Sequence, residues 1–207
     1  MAQYFEMHPV QPQARLIRQA AQVLRERGLI ALPTECAYAL VGLTGDADVL
    51  DRIRRIRGVD DRHHFTLMCR DLSEIATYAR VDNAQYRLLK ACTPGPYTFI
   101  LEATKELPRR VLHPKRKTIG LRVPEHPVVS ALLAEAGEPL LTSTLMLPGD
   151  DLPLTEADTI RERLERQLDL IIDAGACGLE ATTVVDLTSG APELLRAGKG
   201  ALEPLGL

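Results

Sequence analysis

The chain has 207 residues, 45% of them hydrophobic, and its formal net charge of -3 at pH 7 gives no overall attraction for a polyanion. Its four cysteines are scattered without a C-x-x-C pair, which favours reduced thiols over a zinc site or a disulfide framework. No apolar run approaches the ~20 residues that span a bilayer, and the first ten residues lack a secretion signal, so we expect a cytoplasmic protein with no membrane partner.

Helical and extended patterns alternate in the first half of the chain. Four segments carry the apolar spacing or the aspartate N-caps of helices: 12–27, 46–57, 71–79 and 82–92. We expect Gly28 to be the C′ residue of the first helix, and Gly58 follows the end of the second. Four other segments have the composition of strands: 29–32, 37–42, 65–69 and 97–103.

The second half of the chain continues this mixture. Strands are predicted at 118–123, 139–143, 168–173, 182–187 and 193–197. A helix is predicted at 126–137 with Pro127 in its first turn, and a capped, charged helix at 155–167. Because strands and helices alternate irregularly, the pattern predicts one α/β domain, residues 1–207, with a mixed sheet rather than a regular βαβ series.

Charge is distributed unevenly along the chain. Residues 105–122 contain seven Lys or Arg and one acid, and residues 52–70 contain six arginines and two acids. Residues 150–173 reverse the balance, with eight acids and three arginines. The basic segments are compatible with a local anion-binding face, but solvated helices and loops carry similar runs, so both interpretations stay open.

Several predicted strands begin or end with hydroxyl or arginine side chains where apolar ones are usual. They are Thr34, Thr118, Arg122, Thr142, Ser143, Thr144, Thr182, Thr183 and Arg196. Threonine is a good strand residue and its hydroxyl often bonds a loop, so each threonine taken singly has a structural explanation.

Arg122 is harder to explain structurally. Residues 118, 120 and 122 share one face of a strand, so Thr118, Gly120 and Arg122 form a polar, uncrowded face. An arginine inside a sheet needs an anionic partner, because an unpaired buried charge is costly. That partner could be Glu35 or Asp186, or equally a substrate carboxylate or phosphate, which a guanidinium binds through two hydrogen bonds.

The familiar phosphate-binding and metal-binding motifs are absent from the sequence. There is no G-x-x-x-x-G-K-[ST], G-x-G-x-x-G, H-E-x-x-H, EF-hand loop or G-x-S-x-G. The histidines, at positions 8, 63, 64, 113 and 126, lack metal-ligand spacing. We therefore predict no metal site and interpret the adjacent His63 and His64 as polar loop residues rather than ligands.

Seven ordered segments nevertheless form a recognisable set. They are LPTECAYALVG, RIRRIRG, TPGPYTFIL, TIGLRVPEHP, PLLTSTLMLPG, TTVVDLT and LLRAGKG. In this order they resemble the YrdC/YciO superfamily of threonylcarbamoyl-adenylate synthase-like proteins, and HHFTLMCRDLSE and TSTLMLPG look most like the YciO branch. The resemblance implies a YrdC/RibB-like fold, a twisted mixed open sheet with helices on its faces and a large basic concave cleft.

The resemblance also implies an activity. Family synthases condense L-threonine, bicarbonate and ATP to L-threonylcarbamoyladenylate and pyrophosphate, which feeds the t6A modification of tRNA. The chain would then be a nucleotidyltransferase that uses Mg²⁺ with ATP and has no tightly bound cofactor. Members are also described as binding double-stranded RNA. The alternative is therefore a YciO-type protein that binds double-stranded RNA, tRNA or the ribosome, with weak or no synthase activity.

Carried over by position, the resemblance assigns ligand residues but no catalytic acid or base. Contacts to threonine would come from Thr34, Arg122, Thr142 and Thr182. Contacts to the nucleotide would come from Arg55, Arg57, Thr118, Thr144 and Arg196, with Arg55 and Arg57 on the family's K-x-R pair. If the chain binds RNA, the contacts would come from Arg109, Arg110, Lys115 and Lys117.

The chain departs from the family pattern at three positions, and in addition Cys36 stands where the family usually has threonine. The lysine of K-x-R is Arg55, the family's S-x-N reads Thr144-Leu145-Met146, and the histidine that ends the strand after K-x-R falls on Cys69. Met146 cannot make the hydrogen bonds of the lost amide, and one such contact is worth about 1 kcal/mol. A different acylated or phosphorylated ligand is a third interpretation of the same cleft.

Overall fold

The computed structural model describes residues 1–60, 63–112, 115 and 117–207. In this part of the chain ten strands form one sheet: β1 (Gln3–Glu6), β2 (Ile30–Leu32), β3 (Ala39–Leu43), β4 (Thr66–Met68), β5 (Tyr97–Glu102), β6 (Thr118–Arg122), β7 (Leu140–Thr144), β8 (Leu170–Asp173), β9 (Thr183–Asp186) and β10 (Glu193–Arg196). The α-helices are α1 (Ala14–Arg25), α2 (Ala47–Arg57), α3 (Leu72–Tyr78), α4 (Asn83–Cys92), α5 (Pro127–Ala136) and α6 (Ala157–Leu164). Among the described residues, no helix is both long and apolar enough to cross a membrane.

The strands lie side by side in the order β1-β8-β2-β3-β7-β4-β6-β5-β9-β10. The pairs β1/β8, β8/β2, β4/β6 and β5/β9 are parallel, and the remaining neighbours are antiparallel. The order places strands from distant parts of the sequence next to each other, as in β1 and β8. The predicted α/β fold with a mixed open sheet is confirmed.

Helices cover both faces of the sheet and create two apolar cores. One core joins α1 and α5 to alternate residues of β2 and β8, such as Ile30 and Ile172. The other core joins α2, α3, α4 and α6 to the intervening residues of the same two strands, such as Ala31 and Ile171. This division follows from the two-residue period of a strand, which sends neighbouring side chains to opposite faces.

The core under α1 and α5 extends over only half of its face. Within the described residues it takes none of its side chains from β5, β6 or β9. On those strands the opposite face is apolar and buried, with Phe99, Leu121 and Val185 all 0% exposed. The face without a helix carries threonine, glycine and arginine, so this half of the sheet is left open as a polar surface.

Local capping agrees with the sequence for α2 and α4. Asp46 accepts hydrogen bonds from the amides of Asp48 and Val49, at 2.9 and 3.4 Å, and Gly58 ends α2 with a left-handed φ of 61°. Asp82 and Gln85 form a capping box at the start of α4. Such caps satisfy backbone amides that have no partner inside the helix.

Two local predictions are wrong, and one strand was not predicted. The left-handed residue after α1 is Arg27, with φ 67°, and Gly28 is the next residue, where a Cβ would lie 2.6 Å from the Val23 carbonyl oxygen. The helix predicted at 155–167 begins at Ala157, and Glu156 makes no side-chain cap. Strand β1 has no prediction at all, because it is short, partly polar and stabilised by pairing with β8 far along the chain.

Candidate functional site

A cleft of about 650 Å³ lies on the open half of the sheet. Strands β4, β5, β6 and β9 contribute its floor, and Thr34 with residues 36–38, 59–60 and 63–65 contributes walls. The volume lies within the ~300–1,000 Å³ common for small-molecule sites. Gly120 leaves the floor uncrowded, because a Cβ there would lie 2.9 Å from Thr66 Oγ1 and 3.2 Å from Thr98 Cγ2.

The cleft brings together eight of the nine ligand residues proposed from the sequence. They are Thr34, Arg57, Thr118, Arg122, Thr142, Thr144, Thr182 and Arg196. The exception is Arg55, which is exposed and does not line the cleft. Side chains two positions apart on a helix point about 200° apart, so Arg57 and Arg55 cannot both face the same cleft from a regular helix.

Arg122 forms a buried ion pair with Glu35. Its Nη2 donates to Glu35 Oε1, and the two side chains are only 8% and 10% exposed. Asp186, the other candidate partner, instead accepts from the amide and hydroxyl of Thr188, at 2.8 and 2.6 Å. Arg122 Nε and Glu35 Oε2 are buried without a hydrogen-bond partner in the described structure, so each side chain keeps one atom that is able to form a further hydrogen bond.

Thr34 fixes the loop that carries Glu35. Its hydroxyl donates to the Ala37 carbonyl, at 2.7 Å, and accepts from the amides of Cys36 and Ala37, at 3.1 and 3.2 Å. A hydroxyl has one donor and two acceptor positions, so all of them are used within the turn. Thr34 therefore lines the cleft while its hydroxyl holds the loop, and a ligand would have to compete for that hydroxyl.

A hydroxyl and guanidinium network occupies the β5–β9 side of the cleft. Thr98 Oγ1 and Thr182 Oγ1 share a hydrogen bond of 2.9 Å. Arg196 donates to the Thr182 carbonyl through Nε and Nη2, at 3.2 and 3.0 Å, and to its hydroxyl at 3.2 Å. Burial lowers the pKa of Arg196. Thr118 Oγ1 is buried and makes no hydrogen bond to the described part of the chain. A hydroxyl that bonds a ligand would be unpartnered in this way.

Lys199 joins the C-terminal segment to the loop that carries the buried carboxylate. Its Nζ donates to the backbone carbonyl of Glu35, and its amide donates to the Ala181 carbonyl at 2.9 Å. The segment after β10 therefore connects two walls of the cleft. Nothing in the sequence distinguishes this lysine from a solvated one, because its partner is a backbone atom 164 residues away.

Arg57 and His63 meet at the end of β7. Arg57 Nη1 donates to the carbonyls of Thr144 and Met146, at 2.7 and 3.2 Å, and burial lowers its pKa. His63 Nε2 lies 3.3 Å from Ser143 Oγ. The interpretation of His63 and His64 as ordinary loop residues misses their position, because both line the cleft. The only sequence signal was that they connect α2 and β4, two elements that bound the site.

The residues that depart from the family pattern occupy different environments. Cys36 lines the cleft at 3% exposure, and burial raises the pKa of its thiol. Cys69 is buried in the core between the sheet and α3, outside the cleft lining. Met146 contributes only its backbone carbonyl to Arg57, as any residue at this position could, and its side chain lacks the amide of the family pattern.

The residues proposed for RNA contact lie away from the cleft lining. Arg109, Arg110, Lys115 and Lys117 are all exposed, in the segment between β5 and β6. His113 and Arg116, which belong to the same sequence run, lie outside the described residues. In the lining itself, three arginines are accompanied by two aspartates, Asp60 and Asp186.

Comparison with known proteins relates the whole chain to one family. A family model described as "Telomere recombination", for the Sua5, YciO and YrdC proteins, matches residues 22–198. The uncharacterized protein YciO of Escherichia coli K12 is 52% identical over 99% of both chains. Its crystal structure superposes with a TM-score of 0.96, at 51% identity, and covers 99% of this chain and 100% of that one.

More distant relatives are synthases. The threonylcarbamoyl-AMP synthase of Halorhodospira halophila is 31% identical over 84% of this chain and 92% of its own length. The crystal structure of P. abyssi Sua5 complexed with L-threonine matches with a TM-score of 0.89, at 27% identity, over 97% of this chain and 58% of that one. The chain therefore belongs to the Sua5/YciO/YrdC family, and its sequence and fold relate it to the threonylcarbamoyl-AMP synthases.

Proposed function

We propose that the cleft binds ATP and L-threonine and condenses them with bicarbonate to threonylcarbamoyl-AMP and pyrophosphate. The observation that carries this proposal is that eight residues chosen from separate sequence segments line one cleft. The synthase names of the 31% identical relative and of other family members support it. The relatives that are 52% and 53% identical are uncharacterized proteins, so the support from relatives comes from the synthases.

The amino-acid end of the cleft is assigned to Arg122. Its Nε is unpartnered in the described structure, and its other nitrogens provide further donors in one plane. A carboxylate can therefore bind Arg122 while Glu35 keeps its bond to Nη2. The hydroxyls of Thr142 and Thr182, on β7 and beside β9, would contact the rest of the amino acid.

The nucleotide end is assigned to Arg57, Thr118, Thr144 and Arg196. Arg57 and Arg196 are already tied to backbone carbonyls, so their charges are fixed in the cleft before a ligand arrives. A cation that is fixed in this way does not have to move before it stabilises a polyphosphate. Its charge therefore neutralises the phosphates where they bind, instead of only attracting them to the cleft. Magnesium would arrive with ATP as part of the substrate.

The proposed chemistry needs positioning more than acid–base catalysis. Bicarbonate loses hydroxide to become carbon dioxide, and the threonine amine nitrogen adds to its carbon and loses a proton, which forms a carbamate; the proton and the hydroxide leave as water. A carbamate oxygen then attacks the α-phosphorus of ATP, the bond to the β-phosphate oxygen breaks, and pyrophosphate leaves with its electron pair. Holding the reactants together and neutralising the phosphates supplies most of the acceleration in such transfers.

The direct test is pyrophosphate release in the presence of ATP, L-threonine and bicarbonate, with the nucleotide product checked by mass spectrometry. We expect turnover that requires all three substrates. Arg122→Lys keeps a cation for Glu35 but loses bidentate carboxylate binding, and we expect a roughly tenfold to 100-fold loss of kcat/KM for threonine. Arg15→Ala, an exposed change on α1, is the matched control. Release no faster than the enzyme-free blank would reject the proposal.

A second candidate function is RNA binding through the exposed basic segment. The observation that favours it is that four exposed cations between β5 and β6 are not used by the cleft. We expect binding of double-stranded RNA that weakens with salt and weakens further when Arg109, Arg110, Lys115 and Lys117 are changed to Gln. Binding that the quadruple change leaves intact would exclude this surface.

A further inference from the structure

The chain between α2 and β4 places an imidazole beside the arginine assigned to the nucleotide. His63 lines the cleft, and its Nε2 lies 3.3 Å from Ser143 Oγ. Arg57 Nη1 lies 2.7 Å from the carbonyl oxygen of Thr144, the next residue of β7. The last residue of α2 and a residue of the chain that follows it therefore converge on one strand end, which marks this point as a built part of the cleft.

The ring of His63 is also fixed by contact with an aromatic side chain. It packs edge-on against Phe65, with ring centroids 5.2 Å apart and an interplanar angle of 87°. Phe65 is 2% exposed and has the Arg54 guanidinium 5.6 Å from its ring centroid. A ring fixed by an aromatic edge contact and a hydroxyl contact has a defined orientation toward the cleft.

Burial and the neighbouring cations disfavour a second proton on His63. Burial is the main cause and lowers the pKa of His63 to about 4, and Arg57, His64 and Arg54 lower it further. Asp60 acts in the opposite direction. The neighbours on β7, Ser143 and Thr144, carry no charge, and Asp61 and Arg62 lie outside the described residues. His63 is therefore neutral at pH 7.

An anion bound beside Arg57 would act in the opposite direction on the pKa of His63. A phosphate group would cancel the repulsion from Arg57 and supply an acceptor for the imidazole, and both effects favour the charged ring. A neutral imidazole offers one N–H donor, whereas the protonated ring offers two donors and a positive charge. Protonation would therefore strengthen the grip on a polyphosphate.

We propose that His63 is a phosphate-contacting residue of this cleft and that it takes up a proton when a polyphosphate binds beside Arg57. The inference rests on the proposed function for its ligand, the triphosphate of a nucleotide. It adds a residue for which the sequence patterns assign no role, and it makes nucleotide affinity depend on pH. Because Arg57 is charged at every relevant pH, the pH dependence identifies His63 rather than the arginine.

The test measures proton uptake by titration calorimetry with inorganic tripolyphosphate at pH 6.0, in two buffers of different ionisation enthalpy. Tripolyphosphate titrates in this range itself, so the quantity compared is the difference between wild type and His63→Gln. Glutamine can keep a hydrogen bond to Ser143 but cannot take up a proton. His8→Gln, an exposed change outside the cleft, is the matched control.

We expect wild type and His8→Gln to take up about half a proton or more beyond the His63→Gln value. We expect their affinity advantage over His63→Gln to grow about tenfold from pH 7.5 to 5.5, if binding returns the pKa of His63 to its ordinary value. Equal uptake in all three proteins, or no binding of tripolyphosphate, would overturn the inference.

Two further readouts test the role of His63 if His63→Gln does not fold or if the proposed function is wrong. If His63→Gln does not fold, the imidazole C–H resonances of wild type, followed by NMR with and without tripolyphosphate, report the same proton uptake; an unshifted His63 resonance would overturn the proposal. Tripolyphosphate contains neither adenosine nor amino acid. Absent pyrophosphate release with intact proton-coupled binding would therefore reject the proposed function alone, and turnover with uncoupled binding would reject only the role of His63.

Discussion

The buried pair Arg122–Glu35 gives the sharpest energetic prediction. Changing Arg122 to Met removes the cation and leaves the Glu35 carboxylate, 10% exposed, without its ion-pair partner. Breaking a buried pair in this way typically costs about 3–5 kcal/mol, because the remaining charge has been taken out of water. Glu35→Leu leaves Arg122, 8% exposed, in the same condition. We expect each single change to reduce the free energy of unfolding by about 3 kcal/mol or more.

The double variant Arg122→Met/Glu35→Leu removes both charges and supplies apolar side chains. We expect it to be more stable than either single variant, because no uncompensated charge remains. Urea unfolding at pH 7 gives the four free energies, and the exposed pair Arg80–Glu102, at 75% and 59% exposure, provides the control cycle. Exposed pairs are worth about 0–1 kcal/mol. Single changes at Arg122 that cost no more than those at Arg80 would refute the reasoning.

Two further predictions concern the floor of the cleft and the start of α2. Gly120→Ala places a Cβ 2.9 Å from Thr66 Oγ1 and 3.3 Å from the Phe65 carbonyl, so we expect a loss of about 1–3 kcal/mol in urea unfolding and weaker ATP binding by calorimetry; unchanged affinity would show that ligands do not reach this floor. Asp46→Ala loses the N-cap, for which we expect about 1–2 kcal/mol. A hydrogen bond from Arg27 lowers the pKa of Asp46 in the folded state. The stabilisation by the Asp46 carboxylate is therefore present above the unfolded-state pKa and disappears as pH falls through the lower folded-state pKa. A difference in unfolding free energy between wild type and Asp46→Ala that is constant from pH 7 to pH 3 would contradict this.

Periodicity predicted most elements of the fold, because it is a local property. The stripe of α2 and its caps at Asp46 and Gly58 depend only on nearby residues, and both are in the structure. Strand β1 depends on pairing with β8, 167 residues away, since Gln3 pairs with Leu170, and nothing in its own four residues indicates that partner. Arg27 in the left-handed region is a similar case, since the sequence pattern assigns that conformation to a glycine.

The candidate site was predictable where chemistry and strand period agree. Arg122 needed an anionic partner on physical grounds, and Glu35 was one of the two side chains named for it. The choice between Glu35 and Asp186 required the position of a loop relative to β6, which no pattern contains. His63 was missed because a loop has no period to say where its side chains point. Arg55 was assigned by motif, although helix geometry directs it away from the side chain of Arg57.

On the open half of the sheet, residues that stabilise the fold alternate along each strand with residues that line the cleft. On β4, β5, β6 and β9 the cleft is lined by even-numbered residues, from Thr66 through Arg122 to Asp186, while odd-numbered residues such as Phe99 and Leu121 belong to the core. A substitution scan should therefore divide these strands into two interleaved classes, one that lowers ligand affinity and one that lowers the free energy of unfolding. Deleting a single residue within β6 would exchange the two classes beyond the deletion and turn the guanidinium of Arg122 toward the apolar core.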